Sequence, residues 1–189
     1  MTALEVMAVL MAIGYLLLAI RENIWCWACA GVSTAIYVWL FLDAKLYMES
    51  GLNAFYFAMA IYGWFIWRTG RTDGHERPVV VWPAKIHAGA IVAIVGISLG
   101  SGYLLSRTDA AFPYIDSFTT WGAIWATFLV ARKVLENWWY WLVIDAASIF
   151  IYWARDLELT AGLFVLYVIM IPFGIVSWTR SHRDAQQWA

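Results

Sequence analysis

Trp138, Trp141, Asp145, Ser148 and Tyr152 follow one another at spacings of 3, 4, 3 and 4 inside a single apolar run. That spacing places all five along one face of a helix. Asp145 is the only acidic or basic residue near the centre of any long apolar run in the chain. A carboxylate in such a place is costly and marks a pathway or a polar site by default. Indole faces beside a carboxylate suit a flat aromatic cation. Cation–π contact contributes about 0.5–2 kcal/mol, more where water is excluded, and the carboxylate supplies the counter-charge.

Each of these residues also has a plainer reading. Trp138 and Trp139 stand at a helix start, where aromatic belts mark a membrane interface. Trp139 lies off the stripe and reads as belt. Trp138 is balanced between the two readings, and Trp141, one turn deeper, reads as functional. Asp145 has two alternatives: a structural partner hydrogen-bonded to Ser or Tyr of another helix, and a proton relay. Asn137 opens the same run. Asn53 and Tyr56 form a polar pair in the third apolar run, and Thr119, Thr120, Trp121 and Trp125 add polar and aromatic groups to the fifth. Hydroxyl-mediated helix packing is the plain account of the threonines.

Catalysis has little support. His75, His87 and His182 are scattered, with no Glu or second His at metal-ligand spacing. No Gly-x-x-x-x-Gly-Lys run offers a phosphate-binding loop, and no Ser–His or Cys–His arrangement stands out. The chain reads as a non-enzyme that needs no cofactor or metal. Cys26 and Cys29 have redox-type spacing, but they sit inside an apolar run without a second pair and read as core or lipid-facing residues.

The elements that position these groups follow from composition. The chain is 63% hydrophobic and 13% charged, with a mean hydropathy of +0.69. A soluble domain is nearer half apolar and a quarter charged. The 14 Trp and 10 Tyr fit interfacial belts. With a net charge of -1 and no basic patch, a nucleic-acid partner is not expected. Seven apolar segments are read, at about 2–20, 24–42, 51–68, 88–105, 118–134, 137–154 and 158–178. Each approaches the ~20 residues that a helix needs to cross ~30 Å of hydrocarbon. The fold expected is an all-α integral membrane protein of seven transmembrane helices. Residues 1–20 lack a basic leader and do not read as a signal peptide.

Lys and Arg set the orientation. Nine of them (Arg21, Arg68, Arg71, Arg77, Lys85, Arg132, Lys133, Arg180 and Arg183) fall on one side of the seven spans, and Lys45, Arg107 and Arg155 on the other. The richer side is cytoplasmic, which places the N-terminus outside and the C-terminus inside a cell membrane. The run Glu22-Asn23-Ile24-Trp25-Cys26-Trp27 returns as Glu136-Asn137-Trp138-Trp139-Tyr140-Trp141, with Gly31 of the first copy standing where the second has Asp145. Ser33 and Tyr37 return as Ser148 and Tyr152 with a slip, and Gly63 and Trp67 return as Gly174 and Trp178. The chain then divides into a three-helix unit (1–68), a linker with a linking helix (69–110), a second three-helix unit (111–180) and a tail (181–189). An odd-span unit followed by one linking helix gives a parallel 3+1+3 repeat, the arrangement of SWEET-like transporters, with substrate near the midplane.

Taken together the motifs resemble the PnuC family of vitamin transporters over nearly the whole chain. The resemblance rests on the Asn-Ile-Trp-Cys-Trp opening, Ala44-Lys45-Leu46-Tyr47, Tyr62-Gly63-Trp64, Asp116-Ser117-Phe118-Thr119-Thr120, Ala131-Arg132-Lys133 and Glu136-Asn137-Trp138-x-x-Trp141. It implies facilitated diffusion of nicotinamide riboside, thiamine or a related flat cation through the inner membrane, with trapping by a cytosolic kinase. The family's Trp-x-x-Trp substrate motif maps onto Trp138 and Trp141. Many nicotinamide riboside carriers of the family have Asn where this chain has Asp145, which brings thiamine forward as the second candidate. Proton-coupled uptake through Asp145 and a non-transporting membrane sensor are the other readings. The partners expected are a small-molecule vitamin and membrane lipid. Gly100-Ser101-Gly102 allows close approach of a neighbouring helix, compatible with a homo-oligomer.

Overall fold

The computed structural model describes residues 3–43, 47–69, 77–108, 110, 112–154, 156 and 158–187; side chains at 47–49 and 159 are outside the description. His75, Arg71, Lys45 and Arg155, all used in the sequence reading, lie outside the described residues. Among the described residues the structure is helical: α1 (Ala3–Ile20), α2 (Trp25–Asp43), α3 (Tyr47–Thr69), α4 (Ala84–Leu105), α5 (Pro113–Ala131), α6 (Asn137–Trp153) and α7 (Glu158–Gln187). Four of them, α1, α2, α4 and α7 from Thr160, are long and apolar enough to cross a membrane. At 17 residues α6 is short for a span, while α3 carries Glu49, Asn53 and Arg68 and α5 carries Asp116 with several hydroxyls. Large apolar side chains face outward on these helices, including Val92, Leu104, Phe173 and Leu10. A surface of that kind is the signature of a hydrocarbon surround.

Helices α3 and α4 each begin four residues before the expected segments, and the ends depart further at α5 and α7. α5 begins at Pro113, whose missing N–H is no loss in a first helical turn, with Asp116 stabilising that turn. It ends at Ala131 because Lys133 adopts φ 54°. Lys133 N–H donates to Val130 O at 2.9 Å and Val134 N–H to Leu129 O at 2.9 Å, a Schellman closure. α7 runs on to Gln187, past the end of its apolar stretch.

The same closure ends α1. Glu22 has φ 55°, its N–H donates to Ala19 O at 3.0 Å, and Asn23 N–H donates to Leu18 O at 2.9 Å. Glu22 and Lys133 lie 111 residues apart. Trp27 lies on Gly63 as Trp138 lies on Gly174, and Trp67 matches Trp178, all at that same spacing. The recurrence of local geometry therefore pairs Glu22 with Lys133 and Trp27 with Trp138. This corrects the register read from the Glu-Asn match, which paired Glu22 with Glu136 and Trp27 with Trp141. It also makes Thr34, not Gly31, the counterpart of Asp145. Thr34 Oγ1 donates back to Ala30 O at 2.8 Å.

The molecule divides into two compact units. The first comprises Met1–Val79, Val130–Lys133 and Ser177–Ala189. In it Ser33 Oγ donates to Ala8 O at 2.9 Å, joining α2 to α1. Trp27 joins α2 to α3 over Gly63 and meets Trp67 edge-on at 5.6 Å. Trp67 Nε1 donates to Ala131 O at 3.1 Å, and Trp178 Nε1 to Ala19 O at 2.9 Å. His182 Nδ1 donates to Val79 O at 2.7 Å.

The second unit comprises Val80–Leu129 and Val134–Val176. Val80 forms a parallel bridge with Val134, and its carbonyl accepts from Leu135 N–H at 2.9 Å. α4 meets α5 where Gly102 lets Tyr114 approach: a Cβ there would stand 2.9 Å from the Tyr114 Cα. α5 meets α6 at Gly122, against Ile144. α6 meets α7 where Trp138 covers Gly174.

Candidate functional site

α6 owes its place to small residues on its neighbours, and that placement buries one flank of the stripe. Trp138 is 2% exposed, seated on Gly174. The interfacial-belt reading of Trp138 does not hold, because a belt indole faces the membrane boundary and this one is in the core. Trp139 is exposed, as a belt residue is. Trp141 is half-buried one turn further in.

Asp145 is 4% exposed. Among the described residues no hydrogen-bond donor or cation is found for its carboxylate, so the structural-partner alternative has no support here. Its neighbour Ile144 fills the space over Gly122, which fixes the depth of the carboxylate relative to α5. Ser148, one turn on, is 6% exposed. Tyr152 is half-buried and stacks on Phe164 with centroids 5.3 Å apart and planes at 13°. Asn137, at the head of the stripe, is fully buried. Its Nδ2 donates to Val134 O at 2.7 Å, while its Oδ1 has no partner among the described residues.

α5 contributes Thr120 and Trp121, both half-buried. The Trp121 indole N–H is engaged by Ser101 Oγ of α4 at 3.2 Å, which leaves only its ring face for another contact. Asn53 and Tyr56 are half-buried on α3, in the first unit, where Tyr56 tilts against Phe55 at 5.8 Å. The structure thus gathers Asn137, Trp138, Trp141, Asp145, Ser148 and Tyr152 on α6, with Thr120 and Trp121 in the same unit.

Sequence reasoning missed a polar and aromatic group at the start of α6. His87 Nδ1 lies 3.0 Å from Tyr140 Oη, and its Nε2 lies 3.7 Å from Glu136 Oε2. Glu136 Oε2 also accepts the Trp82 N–H at 3.4 Å. Trp82, Trp125 and Phe128 cluster beside them, with centroids 5.6 to 6.2 Å apart. Nothing in the spacing of three lone histidines pointed to this. The signal available was Glu136 and Tyr140, four apart on one helix face.

This arrangement is chemically specific. The stripe offers indole surface, a buried carboxylate, a hydroxyl and an amide, which can bind a ring and neutralise a cation. Among the described residues no group of three His, Cys, Asp or Glu side chains is placed to hold a metal.

A chain that is helical among its described residues, with exposed apolar flanks, is a multi-pass membrane protein. It belongs to the nicotinamide mononucleotide transporter family, whose pattern matches residues 2–180, and the PnuC resemblance read from the motifs is borne out. The riboflavin/roseoflavin transporter RibM of Streptomyces davaonensis is 26% identical over 90% of this chain and 82% of its own length. The nicotinamide riboside transporter PnuC of Escherichia coli is 24% identical, over 81% and 75%. The crystal structure of the vitamin B3 transporter PnuC superposes with a TM-score of 0.75 at 21% identity, covering 96% of this chain and 82% of that one. These relatives are membrane transporters and not enzymes.

Proposed function

We propose that the chain carries a flat, ring-bearing vitamin cation across the inner membrane by facilitated diffusion, with nicotinamide riboside as substrate. The observation that carries this reading is Asp145, a buried carboxylate with no partner among the described residues, on one face with Trp138 and Trp141. Leaving an ionised group without partner or water is costly. A bound cation would remove that cost, and indole faces would hold its ring. The residues assigned to the substrate are Trp138, Trp141, Asp145, Asn137, Ser148, Tyr152, Asn53, Tyr56, Thr120 and Trp121. Thiamine, also a flat cation, is the second candidate on the same ground.

Riboflavin stands as a further candidate for a separate reason: RibM, a riboflavin transporter, has an identity of 26% with this chain. Riboflavin is uncharged, so it would leave Asp145 unanswered, and the buried carboxylate favours the cations.

The architecture that goes with this reading is a SWEET-like 3+1+3 parallel repeat of seven spans. The recurrence of local geometry at 111 residues supports it, as does the charge bias, which puts the N-terminus outside and the C-terminus in the cytoplasm. The divisions are 1–68, 69–110, 111–180 and 181–189. A cytosolic kinase would trap the imported vitamin, and a homo-oligomer is compatible with the exposed glycines of α4.

Thermal unfolding of the purified protein with nicotinamide riboside, thiamine, riboflavin and nicotinamide tests the reading. A true ligand at 100 times its dissociation constant adds about 2.7 kcal/mol of stability, and uptake of the same compound into sealed liposomes should follow. Stabilisation by riboflavin alone would overturn the cation assignment. Binding without uptake would identify a sensor.

A further inference from the structure

We propose that Glu22 and Lys133 form a charge latch that joins the turn after α1 to the turn after α5, and that each transport cycle breaks it. The proposal rests on the transport reading above.

The pair is unusual in four ways at once. Both residues sit in the left-handed conformation, φ 55° and 54°, at the position of a Schellman closure where glycine is usual. A side chain there costs about 1–2 kcal/mol, yet one turn has an acid and the other a base. The two charges meet: Lys133 Nζ donates to Glu22 Oε2 at 2.8 Å. They meet out of water, since the side chains are 2% and 11% exposed. The ammonium also lies 4.7 Å from the centroid of Trp67.

Trp67 and Trp178 brace the two turns reciprocally. Trp67 of α3 donates to Ala131 O, just before Lys133, at 3.1 Å. Trp178 of α7 donates to Ala19 O, just before Glu22, at 2.9 Å. The two indoles themselves are 6.3 Å apart. Each half of the chain thus holds the other half's turn, and the ion pair closes the joint.

A permanent rivet would be better made of apolar side chains. A buried ion pair is often no more stable than a well-packed apolar replacement, and leaving one charge without the other costs several kcal/mol. What charge offers is a joint that can part. Both turns directly follow apolar helices, at the membrane edge that the Lys and Arg bias reads as cytoplasmic. There, separated charges regain water, whereas separated apolar faces would be left exposed to it.

The test is cross-linking. Glu22→Cys and Lys133→Cys are combined in a chain with Cys26→Ala and Cys29→Ala, bridged by a short reducible bis-maleimide and reconstituted into liposomes. Labelled nicotinamide riboside, thiamine and riboflavin serve as probes. The expected result is that the bridged chain binds its ligand but loses about tenfold or more of its uptake, restored by reductant. Undiminished uptake in the bridged chain overturns the latch while leaving the transport reading intact. If the unbridged chain and the native protein carry none of the three, the transport reading falls and the latch falls with it.

Should the cysteine chain fail to fold, Glu22→Gln gives a second measurement. Turnover per ligand-binding molecule is expected to change about threefold or more, with binding affinity kept within about twofold. A purely structural contact would lower the amount of folded protein and leave turnover per molecule at the native value, which overturns the proposal.

Discussion

Trp138 lies so close to Gly174 that a Cβ on that glycine would stand 2.4 Å from the indole ring. The contact does two things. It packs α6 on α7 through an indole seated on a glycine, and it sets the rotation of α6, which decides where the rest of the stripe points. Trp27 holds α2 against Gly63 of α3 in the same manner.

Gly174→Ala and Gly63→Ala should therefore each lower stability by about 1–3 kcal/mol, the usual cost of overpacking. Gly89→Ala and Gly96→Ala, where a Cβ would meet nothing within 4 Å, should be near neutral. Thermal unfolding in detergent distinguishes the two pairs. Equal melting temperatures in all four would mean that the indoles give way freely.

Trp141→Ala and Asp145→Ala are each expected to weaken substrate binding about tenfold or more, about 1.4 kcal/mol. The measurement is a ligand titration on purified protein, with unfolding temperature as the check on the fold. Native affinity in a well-folded double variant would remove the stripe from consideration as the binding face.

Facilitated diffusion predicts that initial uptake into liposomes is the same with and without an imposed pH gradient. If Asp145 instead relays a proton, uptake rises when the outside is made acidic and Asp145→Asn abolishes the response. Rates measured at one substrate concentration under both conditions decide between them.

Trp178→Phe removes the donor to Ala19 O and Trp67→Phe the donor to Ala131 O. Trp67→Phe should lose about 1–3 kcal/mol, the cost of a buried acceptor left unsatisfied. Trp178→Phe should lose less, because Ala19 O still accepts the Glu22 N–H at 3.0 Å. Chemical or thermal denaturation of the two variants side by side would reveal an unequal pair.

Much of this was legible in the chain. Seven apolar runs became seven helices because helix length and hydrophobic length are tied to one another. The stripe on α6 could be read from its 3–4 spacing alone. Two things could not. The α5 boundary was missed because its stop signal is a left-handed lysine, and nothing marks Lys133 as a substitute for glycine. The repeat register was missed because the Glu-Asn pairs are only a helix-start preference and can slide by a turn. The Gly63–Trp67 and Gly174–Trp178 match gave the right spacing, since Gly63 and Gly174 are the seats of Trp27 and Trp138 and a tryptophan fitted over a glycine cannot slide. The engagement of Trp121 by Ser101 and the cluster at His87 depend on neighbours far apart in the chain, where periodicity says nothing.

Glu22 and Lys133 occupy one backbone geometry but carry opposite charge. Giving either residue the other's charge would bring two carboxylates or two ammonium groups to one buried spot. Like charges there oppose each other's ionised form. The opposite signs therefore make the joint neutral: two turns that each carry a side chain where the backbone favours glycine cancel one another's charge instead of adding to it.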